Sequence, residues 1–231
     1  MKHLVVLSGA GMSAESGIKT FRDSGGLWEE YDVMEVATPM AWWKNPDLVL
    51  RFYNERRQQL ESAKPNAGHL GLADLEKLFR VSIITQNVDN LHERAGSTSV
   101  LHLHGELTKA RSTTDPSIVY DIGYRDINKG DKCEKGSQLR PHIVWFGEDV
   151  PMMEEAVRIT SEADIFVVVG SSLNVYPAAG LIAYAPYEAS LWLIDPNDVD
   201  VPVNRHVEVI KEGASKGVQL LAERLGGRAT F

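Results

Sequence analysis

The stretch VVLSGAGMSAESGIKTFRD, residues 5 to 23, constrains this chain most. A run of apolar and β-branched residues reaches Ser8 and breaks into Gly9-Ala10-Gly11-Met12-Ser13-Ala14. That order fits a buried strand, a glycine turn and the opening of a short helix, the G-x-G-x-x-G/A arrangement. Glycines there permit a tight turn and let a pyrophosphate approach backbone N–H groups. No lysine of the Walker type follows. Small residues after a strand also serve packing alone, so the turn gains weight only from its surroundings. An ordinary dehydrogenase would carry a second strand ending in an acid about 20 residues on. Here Glu29 and Glu30 fall near that spacing, inside a segment without strand character. The turn predicts a dinucleotide site that is not a standard hydride-transfer site.

Short apolar runs recur along the chain: His3 to Ser8, Val81 to Thr85, Val100 to His102, Ile143 to Phe146, Ile165 to Gly170, Leu191 to Asp195 and Val207 to Ile210. Most are nearly continuous in apolar character, as in strands buried on both faces. Between them lie helical patterns over Pro46 to Ser62, Ala67 to Phe79, Val88 to Arg94, Met152 to Glu162, Ala178 to Tyr184 and Ala214 to Leu225. The alternation predicts an α/β fold with a parallel sheet wrapped by helices. Asn45-Pro46 and Pro65-Asn66 read as helix starts. Residues 12 to 66 hold no convincing strand and predict a helical insert. Residues 108 to 140 are polar and turn-rich and predict a second small insert, with a half-buried strand over Ile118, Tyr120, Ile122 and Tyr124.

Charge narrows the function classes. Lys and Arg number 24 against 32 Asp and Glu, a formal net charge of −8. An acidic chain is poorly suited to non-specific binding of nucleic acid or anionic membrane. No run approaches the roughly 20 apolar residues of a membrane span. The single cysteine, Cys133, excludes an intrachain disulfide and fits a reducing, cytoplasmic setting. Oligomeric state is not legible.

TQNVDNLHERAG, residues 85 to 96, begins where a predicted strand ends. Ligands of open α/β sheets gather at such carboxyl ends. Gln86, Asn87 and Asp89 place three hydrogen-bonding side chains in four positions, although Asn and Asp also favour turns and helix caps. His104-Gly105 likewise follows a strand, where an imidazole could reach the same cleft. A lone histidine is more often structural than catalytic, and His92 and His102 stand nearby.

GAGMSAESGIKTFR, TQNVDNLHERAG, His104-Gly105, RPHIVWFGE (140 to 148) and GSSLNVYP (170 to 177) together resemble the sirtuin family, in order and spacing, over essentially the whole chain. The resemblance implies a Rossmann-like large part, approximately 1–25, 67–107 and 141–231. It implies a smaller part built from the inserts, approximately 26–66 and 108–140. It also implies NAD as a co-substrate, an acyl-lysine protein or peptide as the other, and deacylated lysine, nicotinamide and O-acyl-ADP-ribose as products. Residue by residue, Gly9, Ala10, Gly11, Ser13, Ala14 and Glu15 match the dinucleotide turn, and Phe21 and Arg22 a mobile cofactor loop. Gln86, Asn87 and Asp89 match the nicotinamide and ribose motif, Asn87 with a catalytic part, and His104 the general base. Gly170, Ser171 and Ser172 match a phosphate and ribose contact. Asp195, Asn197 and Ala214 lie where the family holds adenosine, with Asp195 replacing the usual Asn. Val144, Phe146, Gly147, Glu148, Asn174 and Val175 match segments that clasp the substrate backbone by β-augmentation. Val144 and Phe146 equally suit core packing.

The chain departs from the family at the zinc site. Ser112 and Asp115 stand where one C-x-x-C pair would be, Cys133 and Gly136 where the other would be. One thiolate cannot make the four-ligand set of structural zinc, so no zinc is expected. Cys133 reads as a remnant.

The helix after Asn45-Pro46 offers a separate clue. At about 100° per residue, Leu48, Val49, Phe52, Tyr53 and Leu60 form an apolar stripe with Arg56 at its centre. An inward arginine either snorkels, pairs with an internal carboxylate, or meets a ligand anion. Tyr53-x-x-Arg56, with Ala37 leaving room nearby, resembles the sirtuin class that removes succinyl and malonyl groups. That resemblance implies desuccinylase and demalonylase activity with some deacetylase activity. Two other readings use the same residues: an NAD or ADP-ribose sensor without turnover, and a mono-ADP-ribosyltransferase.

Overall fold

The computed structural model describes residues 1–19 and 31–226. Phe21 and Arg22 lie outside the described residues, as do Glu29 and Glu30. The strands are β1 His3–Ser8, β2 Arg80–Thr85, β3 Val100–His102, β4 Gly105–Ser112, β5 Val119–Asp121, β6 Leu139–Ile143, β7 Ile165–Val169, β8 Ser190–Ile194 and β9 Glu208–Ile210. The helices are α1 Gly11–Ala14, α2 Val33–Val36, α3 Pro39–Lys44, α4 Pro46–Ser62, α5 Ala67–Asp74, α6 Leu91–Arg94, α7 Met153–Ser161 and α8 Ala214–Arg224.

Six strands form one parallel sheet in the order β3-β2-β1-β7-β8-β9. The chain winds outward from β1 in one direction and from β7 in the other, so the strand order reverses between them. This is the parallel α/β sheet that the apolar runs predict, in the Rossmann-like form that the family resemblance implies. Strand β1 is buried along its length, and period two divides it between two cores. Leu4 and Val6 pack with Leu72, Val218 and Leu221, whereas Val5 and Leu7 pack with Ala156, Leu181 and Ile182. Each such side chain contributes about 1.5–3 kcal/mol on burial.

A second, antiparallel sheet runs β5-β4-β6. It shares a third core with α4: Val49, Phe52 and Leu60 meet Leu107, Ala110, Ile127 and Trp145. Segments on either side of β2 and β3 in sequence thus bury one another. Helix α4 begins as its sequence predicts, with Pro46 in the first turn and Asn45 Oδ1 accepting from Leu48 N at 3.1 Å.

Five elements differ from the sequence pattern. Ile143 to Phe146 is not a strand of the main sheet. The pairing of β6 ends at Ile143, after which Val144 N donates to His104 O and Phe146 N to Ala37 O, at 2.9 and 3.0 Å. The helix expected over Val88 to Arg94 starts only at Leu91, because Asp89 Oδ1 accepts from Leu91 N at 3.1 Å and holds the preceding residues in a loop. The helix expected over Ala67 to Phe79 tightens to a 3₁₀ turn at Leu75–Lys77, and Ala178–Tyr184 is 3₁₀ throughout. The strand around Tyr120 is short, Val119–Asp121, although Ile118, Tyr120, Ile122 and Tyr124 are all half-buried. No helix among the described residues is long and apolar enough to cross a membrane.

Candidate active site

A cavity of about 710 Å³ opens at the carboxyl ends of β1, β2, β7 and β8 and extends under the second sheet. It straddles the point where strand order reverses, the usual ligand position in open α/β sheets. Every predicted site residue within the described part lines it, from Gly9 at one strand end to Ala37, Tyr53 and Arg56 on the helices opposite.

The glycine turn forms its floor. Gly9 N donates to Val169 O and Gly11 N to Gly170 O, both at 2.9 Å, so the turns after β1 and β7 lie backbone to backbone. Gly170 has φ of +60°, and a Cβ there would stand 2.3 Å from Met12 N. Only glycine satisfies both the conformation and the approach.

Next to this floor is a buried polar knot. Asn87 Nδ2 donates to Gly9 O at 3.0 Å and to Ser13 Oγ at 3.1 Å, and Ser13 Oγ donates to Asp89 Oδ2 at 2.8 Å. Burial pushes the Asp89 carboxyl upward, and the bonds from Leu91 N and Ser13 offset this in part. Gln86 Nε2 reaches across to Ser171 Oγ at 3.0 Å, joining the ends of β2 and β7.

The histidines at and just beyond the end of β3 behave differently. His104 Nδ1 lies 3.0 Å from Gln86 O, a carbonyl that can only accept. Nδ1 therefore carries the proton, and Nε2 keeps its lone pair. Burial holds the imidazole below its ordinary value, against the lift from Gln86. His102, two residues earlier, anchors Asn87 O through Nδ1 at 3.1 Å and meets Glu93 Oε1 through Nε2 at 2.7 Å. Burial opposes its charge, but the hydrogen bond and charge of Glu93 carry its pKa upward. Glu93, His102 and Glu106 bring potential ligand atoms within 4.8 Å of one another. These groups are already engaged, His102 by Glu93 and Glu106 by Lys109.

At the far end, Trp145 Nε1 donates to Tyr53 Oη at 3.0 Å. The phenol thus accepts from the indole and retains its own proton for a further acceptor. Burial pushes its pKa well up, which keeps it a neutral donor. Arg56, one helical turn on, has a side chain only 11 % exposed. Its Nε and Nη1 are buried with no hydrogen-bond partner among the described residues, and Nη2 stands 4.0 Å from Glu55 Oε2. Its guanidinium lies 5.0 Å from the Phe52 ring centroid. Two groups here were missed by pattern. Arg57 is fully buried, donating from Nε to Leu107 O and from Nη1 to Asn54 Oδ1, each at 2.7 Å; burial lowers it to about 10. Trp145 has the opposite parity to Val144 and Phe146 and turns into the third core. Glu148 lines the cavity, yet its carboxylate is held by Arg140 at 2.7 Å, Arg111 at 3.1 Å and Trp145 N at 2.9 Å. Burial alone would raise it; these partners bring it below the usual carboxylate range.

In the second insert, Ser112 and Cys133 meet although 21 residues apart. Cys133 Sγ donates to Ser112 Oγ at 3.4 Å, and the same oxygen accepts from Thr114 N at 3.3 Å and Asp115 N at 3.2 Å. Asp115 Oδ2 pairs with Lys135 at 2.7 Å. Hydrogen bonds clasp the segment, and one cysteine cannot supply a tetrad of thiolates.

The chain is 57 % identical over 230 residues to an NAD-dependent protein deacylase of Bacteroides thetaiotaomicron, covering 97 % of this chain and 98 % of that one. It is 53 % identical over 225 residues to an NAD-dependent protein deacylase of Helicobacter pylori, with 97 % and 96 % covered. A crystal structure of a Sir2 homologue with NAD superposes with a TM-score of 0.88 at 38 % identity, over 97 % of this chain and 90 % of that one. The Sir2 family model matches residues 9–177. With that match spanning most of the chain, and relatives above half identity over nearly all of it, this chain belongs to the Sir2 family.

Proposed function

We propose that this chain is an NAD-dependent protein-lysine deacylase that removes succinyl and malonyl groups from lysine, with deacetylase activity beside them. The observation that carries the acyl preference is Arg56: two guanidinium nitrogens buried with no hydrogen-bond partner among the described residues, beside a Tyr53 hydroxyl able to donate, in the cavity that also holds His104. A terminal carboxylate on the acyl group satisfies both, since guanidinium binds it bidentately.

The residues present fit NAD. The floor between Gly9 and Gly170 admits no side chain, which suits a pyrophosphate pressed against backbone. All of Asp195, Gln86, Asn87 and Asp89 line the cavity, Asp195 following β8 and the other three following β2, on opposite sides of β1. In this reading Gly9, Ala10, Gly11, Ser13, Ala14, Glu15, Ser171 and Ser172 hold the phosphates and their riboses, and Asp195, Asn197 and Ala214 hold the adenosine. When bound, NAD supplies an electrophilic sugar carbon with nicotinamide as its leaving group. Asn87 and Asp89, tied through Ser13, orient the nicotinamide end. His104 Nε2 accepts a proton from a sugar hydroxyl while Nδ1 stays fixed on Gln86 O. The segments 144–148 and 174–175 clasp the substrate backbone, and Ala37 leaves room for the longer acyl chain. The second sheet with α2 to α4 acts as a smaller part closing over the Rossmann-like one.

Mass spectrometry of a reaction with NAD and succinyl-lysine peptide tests the reading. Free-lysine peptide with O-succinyl-ADP-ribose supports it. ADP-ribosylated protein, or no product, replaces it with a transferase or a sensor.

A further inference from the structure

We propose that His102, with Glu93 behind it, is a positioning residue for the reaction: from outside the cavity it fixes the Asn87–Val88 peptide and so sets the aim of Asn87 and Asp89. The inference rests on the reading that those two residues orient the nicotinamide end of NAD, and adds to it the group that holds them.

Four successive carbonyls at the end of β2 are each engaged by the segment 102–107. Thr85 O accepts from Leu103 N at 2.9 Å, Gln86 O from His104 Nδ1 at 3.0 Å, Asn87 O from His102 Nδ1 at 3.1 Å and Val88 O from Leu107 N at 2.8 Å. Two of these donors are backbone N–H groups, which any residue but proline supplies. The other two are imidazoles, and one of them is the base. His102 is thus the one donor that a substitution can remove while sparing both the backbone and the base.

The Asn87 side chain is tied to Gly9 O and Ser13 Oγ, and Asp89 is tied to the same Ser13 Oγ. Between the two runs the peptide whose carbonyl His102 holds. Rotating it would carry Asp89 away from Ser13 while Asn87 stays. A displacement of about 1 Å at a reacting centre can cost ~100-fold in rate.

His102 is engaged at both ring nitrogens. A carbonyl and a carboxylate only accept, so with Nδ1 on Asn87 O and Nε2 2.7 Å from Glu93 Oε1 both nitrogens carry hydrogen, and the ring is an imidazolium. Both bonds are then charge-assisted. The His102 side chain is 8 % exposed and that of Glu93 39 %. Glu106, paired with Lys109, and Asp89 add negative charge nearby, and burial keeps neighbouring His92 neutral. His104, two residues on, spends only Nδ1 on the loop and lines the cavity, whereas His102 does not. Neighbouring carbonyls are therefore gripped by two imidazoles in different protonation states, one a clamp and the other the base.

Kinetics with NAD as the varied substrate, at saturating acyl-lysine peptide, test this together with calorimetric titration of ADP-ribose, which lacks nicotinamide. His102→Ala should lower kcat/KM for NAD by ~10- to 100-fold and raise the inhibition constant of nicotinamide by ~10-fold, with ADP-ribose affinity within about threefold of wild type. His102→Asn, whose Nδ2 can take the place of Nδ1, should recover to within ~5-fold of wild type. If His102→Ala does not fold, Glu93→Ala, at a partly exposed carboxylate, should show the same pattern at ~3- to 10-fold. Near-wild-type NAD kinetics in the folded variant, an equal loss of ADP-ribose affinity, or no recovery with His102→Asn overturns the positioning role while leaving the NAD reading intact. A wild type that releases no nicotinamide from NAD, or does not bind ADP-ribose, overturns both.

Discussion

His104 Nδ1 donates to the carbonyl of Gln86 at 3.0 Å, which leaves Nε2 as the basic atom of an imidazole inside the cavity. Burial lowers its pKa, so the neutral, working form persists below pH 6.5. The acid limb of kcat/KM for deacylation should therefore fall at a pH below the ordinary imidazole value. His104→Ala should lower kcat by ~10²- to 10⁴-fold. An acid limb above pH 7, or a variant with near-normal turnover, would remove His104 as the base.

Arg56→Met keeps the apolar stem and deletes the charge. Its kcat/KM for succinyl-lysine peptide should fall by ~100-fold, the scale of a lost charge-assisted pair, while acetyl-lysine peptide changes by less than about threefold. Steady-state kinetics on the two peptides decide this, and equal losses on both would refute the selectivity role.

Acid should destabilise the fold before the carboxylates titrate. Burial lowers His69 to about 4, and His92 well below 6.5. The unfolded chain takes up these protons near pH 6.5, whereas the native chain resists, so stability is present above 6.5 and is lost as pH falls toward 4. His69 alone accounts for on the order of 3 kcal/mol across that window. His102 acts in the opposite sense, because its raised pKa stabilises below 6.5 and that contribution fades as pH rises. Urea midpoints at pH 7, 6, 5 and 4.5 should decline steadily, and a flat profile would contradict the buried neutral pair.

Chelation should leave the second insert intact. Thermal unfolding in excess EDTA should match that without it, since the Ser112–Cys133 contact is a hydrogen bond. Ser112→Ala strands Thr114 N and Asp115 N and should cost about 1–2 kcal/mol. A large fall in Tm with EDTA would show a metal holding this segment.

Gly170→Ala forces a Cβ onto Met12 N at a φ of +60°. It should destabilise by about 2–4 kcal/mol and weaken ADP-ribose binding, as read by urea unfolding and calorimetry. Wild-type behaviour in both would show that the two turns can separate freely.

Much of this was legible in short windows. Strands buried on both faces leave continuous apolar runs, so β1, β2, β7 and β8 showed themselves within a residue or two, and the short, less buried edge strands β3 and β9 showed as brief apolar stretches. Asn45 and Pro46 announced α4 because a cap and a fixed φ act locally. The residues around the cavity were legible as motifs at strand ends. Arg56 and Arg57 were not separable by type: adjacent on one helix, they differ by about 100° of rotation, and only packing shows which one the core engulfs. Asp89 shortened a helix by accepting from Leu91 N, a local bond that the apolar pattern of Val88 to Arg94 conceals.

By itself the sequence determined the α/β order, the glycine turn, the acidic charge and the lack of a cysteine tetrad, because each depends on residue type and near-neighbour spacing. The tertiary structure alone decided that Arg56 Nε and Nη1 are buried with no hydrogen-bond partner among the described residues while Arg57 donates to two acceptors, that Ser112 meets Cys133, and that Asp195 stands across the sheet from Asn87. Those outcomes depend on which distant segments close on one another, and burial, charge and hydrogen bonding at each atom take their value only from that closure.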